Sequence, residues 1–499
     1  MLPLHKTAHA PNLLFAQLSA PLYHRSAFIQ RVNLIKYMRT LKLTIPLLLA
    51  VVVLLLAGCA TPQRSADPSG VARRTVPELA ALRPAALRAV IASHVGERAV
   101  FEAELASLRA ALALPPGPEA DEKLPGALRA AALFNIGKDA VLAHLLRVLP
   151  NAAEKSAAYQ RELLTAAHTL YWKETAPLIP ALLPQIRTPR EFAIAAYTLL
   201  RADNAAMQRQ MLLAAMLVNF PDWNEEPRLR ALERRLRVDP LDDLAQRPPL
   251  ADLLAAPMLA GYPIVFSFQR RDRERFGLAL VRGADGRFVK NADGGYFNIA
   301  QLALARSNLP GTITNGNTPQ GVFVIKGTGT ATNRWVGPTP YLQSMLPVEA
   351  PVALFDAPYA GAELPAITPE VNKRLWTLLT YERFLPVSWR GYFPIKEALL
   401  AGLAGRDEIL AHGNTVNPAY YRGHSYFSAA PSAGCLVAAE YWSKDDGTLV
   451  HSDQLALVKA FVSTGKDVGY LVVVDIDDQP RAVLLGDVIE AVLAAERAR

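Results

Sequence analysis

The chain has little cysteine: Cys59 and Cys435 are the only two among 499 residues. Two cysteines cannot form a framework of several disulfides, so this sequence is not a disulfide-stabilised small-domain scaffold. Each cysteine has a separate local context, described below. We therefore expect no disulfide between them.

Acidic residues are absent from residues 1–58, which contain six basic side chains. This segment accounts for most of the formal net charge of +8, and the remaining chain carries only +2. A nearly neutral body lacks the concentrated basic face that binds phosphate backbones, so no nucleic-acid partner is expected. A hydrophobic content of 51% with 20% charged residues is typical of a globular protein, and the length predicts two or three domains.

A short basic stretch at residues 38–42 precedes an apolar run over residues 43–56. The run has the length of a signal-peptide core and is shorter than the roughly 20 residues of a membrane-spanning helix. It ends in Leu56-Ala57-Gly58-Cys59, which resembles the lipobox of bacterial lipoproteins, where the thiol takes a diacylglyceryl group. The alternative is a transmembrane anchor with an incidental cysteine.

We assign residues 1–58 to a signal-peptide region and expect translation to start at Met38, because residues 1–37 add nothing to the signal. Cys59 is the expected lipidation site, and residues 59–74 are expected to form a lipidated tether. Ala60 stands where Asp would favour retention in the inner membrane. The resemblance therefore implies an outer-membrane lipoprotein that faces the periplasm and is held by its lipid anchor.

Residues 75–250 are rich in Ala, Leu and Arg with a helical period. One predicted helical face carries Phe101, Leu105, Leu108 and Leu112. The segments 75–78 and 188–191 both match the capping box that starts a helix. We expect an all-α domain of stacked hairpins, similar to HEAT repeats although no repeat can be counted, followed by a linker at residues 240–257. The domain is either a surface for a protein partner or a spacer.

From Tyr262 the hydrophobic pattern acquires the period of strands. Strands are predicted at residues 264–268, 277–281, 322–325, 352–355, 409–411 and 470–476, and helices at 368–380, 395–404 and 452–465. We therefore predict an α+β multidomain protein, in which the all-α domain is followed by a mainly β domain with peripheral helices over residues 260–478. Residues 479–499 are expected to form a C-terminal helix.

Three motifs follow one another in this β region. They are Thr318-Pro319-Gln320-Gly321-Val322-Phe323-Val324-Ile325, Ile409-Leu410-Ala411-His412-Gly413 and Ser432-Ala433-Gly434-Cys435. Together they resemble the Thr-Pro-x-Gly segment, the strand ending in His-Gly and the Ser/Thr-x-Gly-Cys nucleophile turn of L,D-transpeptidase catalytic domains. The resemblance covers roughly residues 260–478 and implies acyl transfer on peptidoglycan stem peptides by a cysteine.

The residues of these motifs suit that chemistry. A thiol is a nucleophile only as thiolate, and an imidazole can take its proton, so Cys435 is the expected nucleophile and His412 the expected base. His412 is preferred to His424 because it ends an apolar strand, which fixes its position, whereas His424 lies in an aromatic insertion. Ser432 and Gly434 shape the turn, and the amides of Gly434 and Cys435 are expected to form an oxyanion hole.

Two positions depart from the family pattern. Ala433 stands where many members have a polar residue, and Val437 stands where many have an arginine that binds the substrate carboxylate. Arg422 could supply the missing charge, and the alternative is a solvated loop arginine. His424 and Gly413 are the other candidates for substrate contact.

The resemblance implies that Cys435 forms a thioester with a stem peptide and passes it to an amine, or to water in a carboxypeptidase. No metal or other cofactor is expected. Two alternatives stay open: a degenerate domain that binds cell-wall peptides, and a structural lipoprotein whose helical domain is the functional part.

Overall fold

The computed structural model describes residues 73–358 and 367–498. The signal-peptide region, Cys59 and residues 59–72 of the tether lie outside this part of the chain. Among the residues described, no helix is both long and apolar enough to cross a membrane.

The N-terminal helical region that the sequence predicts is confirmed. Its helices are α2 (His94–Ala113), α3 (Pro118–Phe134), α4 (Lys138–Val148), α5 (Ala157–Leu170), α6 (Trp172–Thr175), α7 (Ile179–Leu182), α8 (Pro189–Ala202), α9 (Ala206–Asn219), α10 (Pro227–Arg237), α11 (Pro240–Ala245) and α12 (Leu250–Ala255). The expected apolar face of α2 is also present, because Leu108 is buried and Phe101, Leu105 and Leu112 pack around it.

The first helix, α1 (Val76–Ala81), belongs to the barrel described below, which corrects the predicted domain boundary at residue 75. Leu79 is buried in the same apolar cluster as barrel residues such as Phe323. Just before α1, the Arg73 guanidinium donates to the carbonyl of Lys326 over 3.1 Å. The chain therefore packs on the barrel first and enters the helical region only at α2.

One of the two predicted capping boxes forms. The Thr75 hydroxyl accepts from the Glu78 amide, and the Glu78 carboxylate accepts in return from the Thr75 amide. At α8 the predicted start is right, but the Thr188 hydroxyl is buried without a hydrogen-bond partner. Glu191 instead faces Arg161 of α5, 3.8 Å away. The carboxylate is therefore directed to a neighbouring helix and does not close a capping box.

The predicted linker at residues 240–257 is wrong, because it contains α11 and α12. Leu253 and Leu254 are buried in one apolar cluster with Phe266 and Phe268 of the first strand. Pro240 occupies the first turn of α11, where its missing amide costs nothing.

Eight strands close into a barrel in the order β1-β10-β4-β5-β6-β7-β3-β2, and β8 and β9 form a separate hairpin. The strands are β1 (Ile264–Arg270), β2 (Gly277–Arg282), β3 (Ile299–Leu302), β4 (Gly321–Gly329), β5 (Tyr341–Met345), β6 (Leu410–His412), β7 (Leu436–Ala438), β8 (Glu440–Trp442), β9 (Leu449–Ser452) and β10 (Gly469–Asp477). Strands β1 and β10 are parallel, as are β6 and β7.

Peripheral helices surround the barrel, as predicted. They are α13 (Val352–Asp356), α14 (Pro369–Leu375), α15 (Leu378–Glu382), α16 (Glu397–Leu403), α17 (Asp453–Val462) and α18 (Ile489–Arg497). The strand predicted at residues 352–355 is wrong, since α13 occupies it. A run of four apolar residues does not distinguish a short buried helix from a strand by its period. The C-terminal helix is shorter than expected and begins at Ile489.

The helices and one end of the barrel share a single apolar core. One cluster buries Leu302 of β3, Leu304 and Leu309 from the segment after β3, and Tyr421 and Tyr426 from the loop after β6 among residues of α3, α5 and α8. The described residues accordingly form one compact unit. The predicted helical and β regions exist, but they are fused along this core.

Candidate active site at the β6–β7 edge

The parallel pairing of β6 and β7 brings two predicted site residues together. Ala411 pairs with Leu436 and His412 with Val437, and Cys435 immediately precedes β7. Strand spacing and rise place the Cα atoms of His412 and Cys435 roughly 8 Å apart. An imidazole and a thiol can meet across such a separation.

A hydrogen-bonded turn carries Cys435. The Ser432 hydroxyl accepts from the Gly434 amide over 2.9 Å and donates to the Cys435 carbonyl over 2.8 Å. The Gly434 amide is thus engaged within the turn, which corrects the expected two-amide oxyanion hole. Neither hydrogen bond of the turn uses the Cys435 amide.

Gly434 is required at its position by both conformation and space. Its φ of +116° lies in the region that favours glycine. A Cβ there would lie 1.8 Å from Nη2 of Arg406 and 2.3 Å from the carbonyl oxygen of Gly316. Arg406 is buried and donates to the carbonyls of Gly316 and Asn317 over 2.6 and 2.7 Å. It therefore forms a cationic support beneath the nucleophile turn.

The Thr-Pro-Gln-Gly segment supports the same turn. The buried Thr318 hydroxyl donates to the Gly434 carbonyl over 2.9 Å. Gln320 accepts from the Asp475 amide of β10 over 2.9 Å, and its own amide donates to Glu397 over 3.0 Å. This motif thus acts by anchoring the turn to two other elements.

The Cys435 thiol is half-buried and faces the start of β6. Its Sγ lies 3.4 Å from the Leu410 amide and 3.4 Å from the Glu408 carbonyl oxygen, and it makes no hydrogen bond with His412. Burial raises the pKa of the thiol to about 11, against the opposing effects of the Leu410 amide and the Arg406 charge. In this rotamer the thiol is protonated at neutral pH.

His412 is buried and oriented by its neighbour. Nδ1 bonds to the Gly413 carbonyl oxygen. Because a carbonyl only accepts, Nδ1 carries the proton and Nε2 has the free lone pair. Burial lowers the pKa of His412, while the Gly413 carbonyl and Glu440 oppose that shift. The ring is therefore neutral at neutral pH and can accept a proton at Nε2.

Gly413 lies against the buried carboxylate of Glu440, a residue that was not predicted from the sequence. A Cβ on Gly413 would lie 2.0 Å from the carboxyl carbon of Glu440. Burial raises the pKa of Glu440 to about 7, although the Ser452 hydroxyl donates to it over 2.7 Å. Glycine is required at position 413 because a side chain there would clash with Glu440. The predicted substrate contact of Gly413 is not needed to explain the glycine.

Arg422 and His424 lie away from the nucleophile turn. Both are exposed; Arg422 lies over the Phe427 ring at 5.8 Å, and His424 stacks on Tyr426 at 5.1 Å. The insertion that contains them docks on the helical region, where the Tyr421 hydroxyl donates to the Leu133 carbonyl over 2.7 Å. The structure thus offers no support for Arg422 as the replacement for the missing arginine.

A small cleft, with a cavity volume of about 80 Å³, opens beside the turn, between the helical region and the barrel. Ser432 and Ala433 form part of its wall. Its charged lining consists of four arginines and one glutamate, namely Arg129, Arg161, Glu162, Arg190 and Arg306. Sequence reasoning missed these arginines because they come from segments far apart in the chain.

Within the described ranges, no cluster of three or more His, Cys, Asp or Glu side chains could hold a metal ion. Comparisons with protein-family models, curated proteins and solved structures gave no match.

Proposed function

We propose that this protein is a lipid-anchored periplasmic enzyme that transfers acyl groups of peptidoglycan stem peptides through a thioester on Cys435, as L,D-transpeptidases do. The observation that carries the proposal is the β6–β7 register, which pairs His412 with Val437, two residues after Cys435, and so places the imidazole and the thiol on adjacent strands. The Thr318 bond to the nucleophile turn supports it, since it ties together two of the three motifs on which the resemblance rests.

In the first half-reaction the thiol rotates from Glu408 toward His412. Nε2 of His412 accepts the thiol proton, and Sγ attacks the carbonyl carbon that joins an L-centre to a terminal D-residue. The Cys435 amide donates to the developing oxyanion. The C–N bond then breaks, the imidazolium returns its proton to the leaving amine, and D-alanine departs from the thioester.

In the second half-reaction the amine of another stem attacks the thioester carbonyl. His412 takes the proton that the amine loses, the C–S bond breaks, and the sulfur recovers the proton as a thiol. Water in place of the amine gives a free carboxylate, which is the carboxypeptidase reaction. Both outcomes use the same side chains.

A second candidate is a cell-wall-binding module without turnover. The raised pKa of the Cys435 thiol and its contacts with Leu410 and Glu408 favour that candidate, because they describe a resting thiol with no base in contact. The intact Cys435–His412 register favours the enzyme, since a retired site has no need for either group.

Product analysis separates the two. The full chain in detergent is incubated with defined muropeptides, beside Cys435→Ala, and products are identified by mass. The enzyme predicts loss of D-alanine with a cross-linked or shortened stem, absent from Cys435→Ala. Binding of muropeptides by both proteins, with no change in their mass, would establish the binding module instead.

A further inference from the structure

The cleft beside the nucleophile turn carries more positive charge than its own acids neutralise. Arg129 is paired with Glu162 over 2.7 Å, and Arg161 lies 3.9 Å from the same carboxylate. Arg190 and Arg306 form neither an ion pair nor a side-chain hydrogen bond with any residue in the described ranges. Both guanidinium groups are partly buried, and the acids that act on them do so only at a distance: Glu191 and Glu226 on Arg190, and Glu162 on Arg306.

Arg306 is the arginine nearest to the chemistry. Its amide donates to the Ser432 carbonyl over 2.9 Å, which fixes its backbone against the turn that ends at Cys435. Burial lowers the pKa of Arg306, and ionisation of Cys435 opposes that shift, so the two side chains lie within electrostatic reach. A guanidinium nevertheless remains charged in proteins. An anion bound here would relieve the cost of burying that charge.

Arg190 also lines the cleft. It lies in the first turn of α8, and burial together with the charges of Arg228 and Arg161 lowers its pKa. Like-charged, desolvated arginines are unfavourable unless something negative lies between them. Carboxylates match guanidinium geometry and accept two parallel hydrogen bonds from it.

We propose that this cleft binds an anionic peptide, with Arg306 pairing with the carboxylate next to the scissile bond and Arg190 receiving a second acidic group. Arg306 then takes the place of the arginine that Val437 replaces in the family pattern. The helical region becomes one wall of the substrate site and is more than a spacer. The proposal rests on the proposed function for the identity of the peptide, but it concerns binding and can be tested without turnover.

The test measures binding by calorimetry in the Cys435→Ala background of the full chain, which cannot form a thioester. The probes are a stem tetrapeptide ending in D-alanine and the same peptide ending in D-alanine amide. Arg306→Gln and Arg190→Gln are compared with Arg109→Gln, whose exposed arginine on α2 lies outside the cleft.

The acid should bind about 10- to 100-fold more tightly than the amide, the ordinary effect of one charged hydrogen-bonded pair. Arg306→Gln should remove that preference, Arg190→Gln should weaken both peptides alike, and Arg109→Gln should change neither. Three results would each overturn the proposal: equal binding of acid and amide, a preference that survives Arg306→Gln, or no binding of the acid.

If the preference depends on Arg306 but wild type releases no D-alanine, the binding site stands and the proposed enzyme falls. If wild type turns over while Arg306→Gln retains the preference, only this inference fails.

Discussion

The hydroxyl of Thr318 donates to the carbonyl of Gly434 over 2.9 Å and joins segments 116 residues apart. Thr318 lies three residues before strand β4, and Gly434 precedes the nucleophile. The bond is buried, and Arg406 is the only other described side chain near this carbonyl, 3.5 Å away. The position of the Cys435 turn therefore depends on a motif that lies outside it.

Thr318→Val should test this dependence. Valine keeps the shape of threonine but leaves the Gly434 carbonyl without its main donor, so the free energy of unfolding should fall by about 1–2 kcal/mol. Thr312→Val is the matched control, because that hydroxyl is also buried but has no hydrogen-bond partner. Denaturant unfolding measures both. Equal stability of the two variants would show that the Thr318 bond contributes nothing.

Gly434→Ala should be more damaging than a glycine replacement at a similar φ. Gly423 has a φ of +98° with no atom near the site of its missing Cβ, so Gly423→Ala should cost only the strain, roughly 1 kcal/mol. Gly434→Ala adds a clash with Arg406 and should cost more than about 2 kcal/mol. Thermal and denaturant unfolding compare them. Similar losses would mean that both Arg406 and the Gly316 carbonyl can move aside freely.

Alkylation of Cys435 should accelerate with pH well beyond neutrality. Burial raises the pKa of the thiol to about 11, which lies above that of an ordinary cysteine, so the thiolate fraction keeps increasing between pH 8 and pH 11. Iodoacetamide labelling, read by mass on the peptide containing Cys435, gives the profile. The same peptide in urea should follow the ordinary thiol pKa. A rate that is already constant at pH 7 would contradict the resting rotamer.

The two histidines before Cys435 should behave differently on replacement. His412→Ala removes the imidazole of the strand that pairs with β7 and should lower turnover by roughly 10²- to 10⁴-fold, the usual contribution of a general base. His424→Ala should leave turnover within a few-fold, because that ring is exposed and stacked on Tyr426. D-alanine release measures both. An inactive His424→Ala beside a nearly normal His412→Ala would reverse the assignment.

Much of the secondary structure was predictable from the local pattern. Buried strands such as β1 and β10 are continuous apolar runs with turn residues at their ends, and period and length identify them. Strands β3 and β7 are too short for such a signal and exist because they complete the barrel. The strand predicted at residues 352–355 was wrong because four apolar residues fit a short helix and a strand equally well.

The residues of the site were predictable only where they lie in short sequence motifs. Cys435, His412 and the turn residues lie in recognisable motifs, and the β6–β7 register brings them together. The hydrogen bond from Gly434 to Ser432, the carboxylate of Glu440 behind Gly413 and the support from Arg406 depend on tertiary packing, which one sequence does not encode locally. The cleft arginines are the clearest case, because α3, α5, α8 and the loop after β3 meet only in the folded chain.

The most direct test of the account is a covalent one. The full chain is mixed with a stem tetrapeptide, quenched in acid at a series of times and examined by intact-protein and peptide mass spectrometry, with Cys435→Ala and His412→Ala alongside. The account predicts an added mass equal to the tetrapeptide minus D-alanine, located on Cys435, absent from Cys435→Ala and slower to form in His412→Ala. A wild-type protein that binds the peptide but neither gains this mass nor releases D-alanine at any time would contradict it.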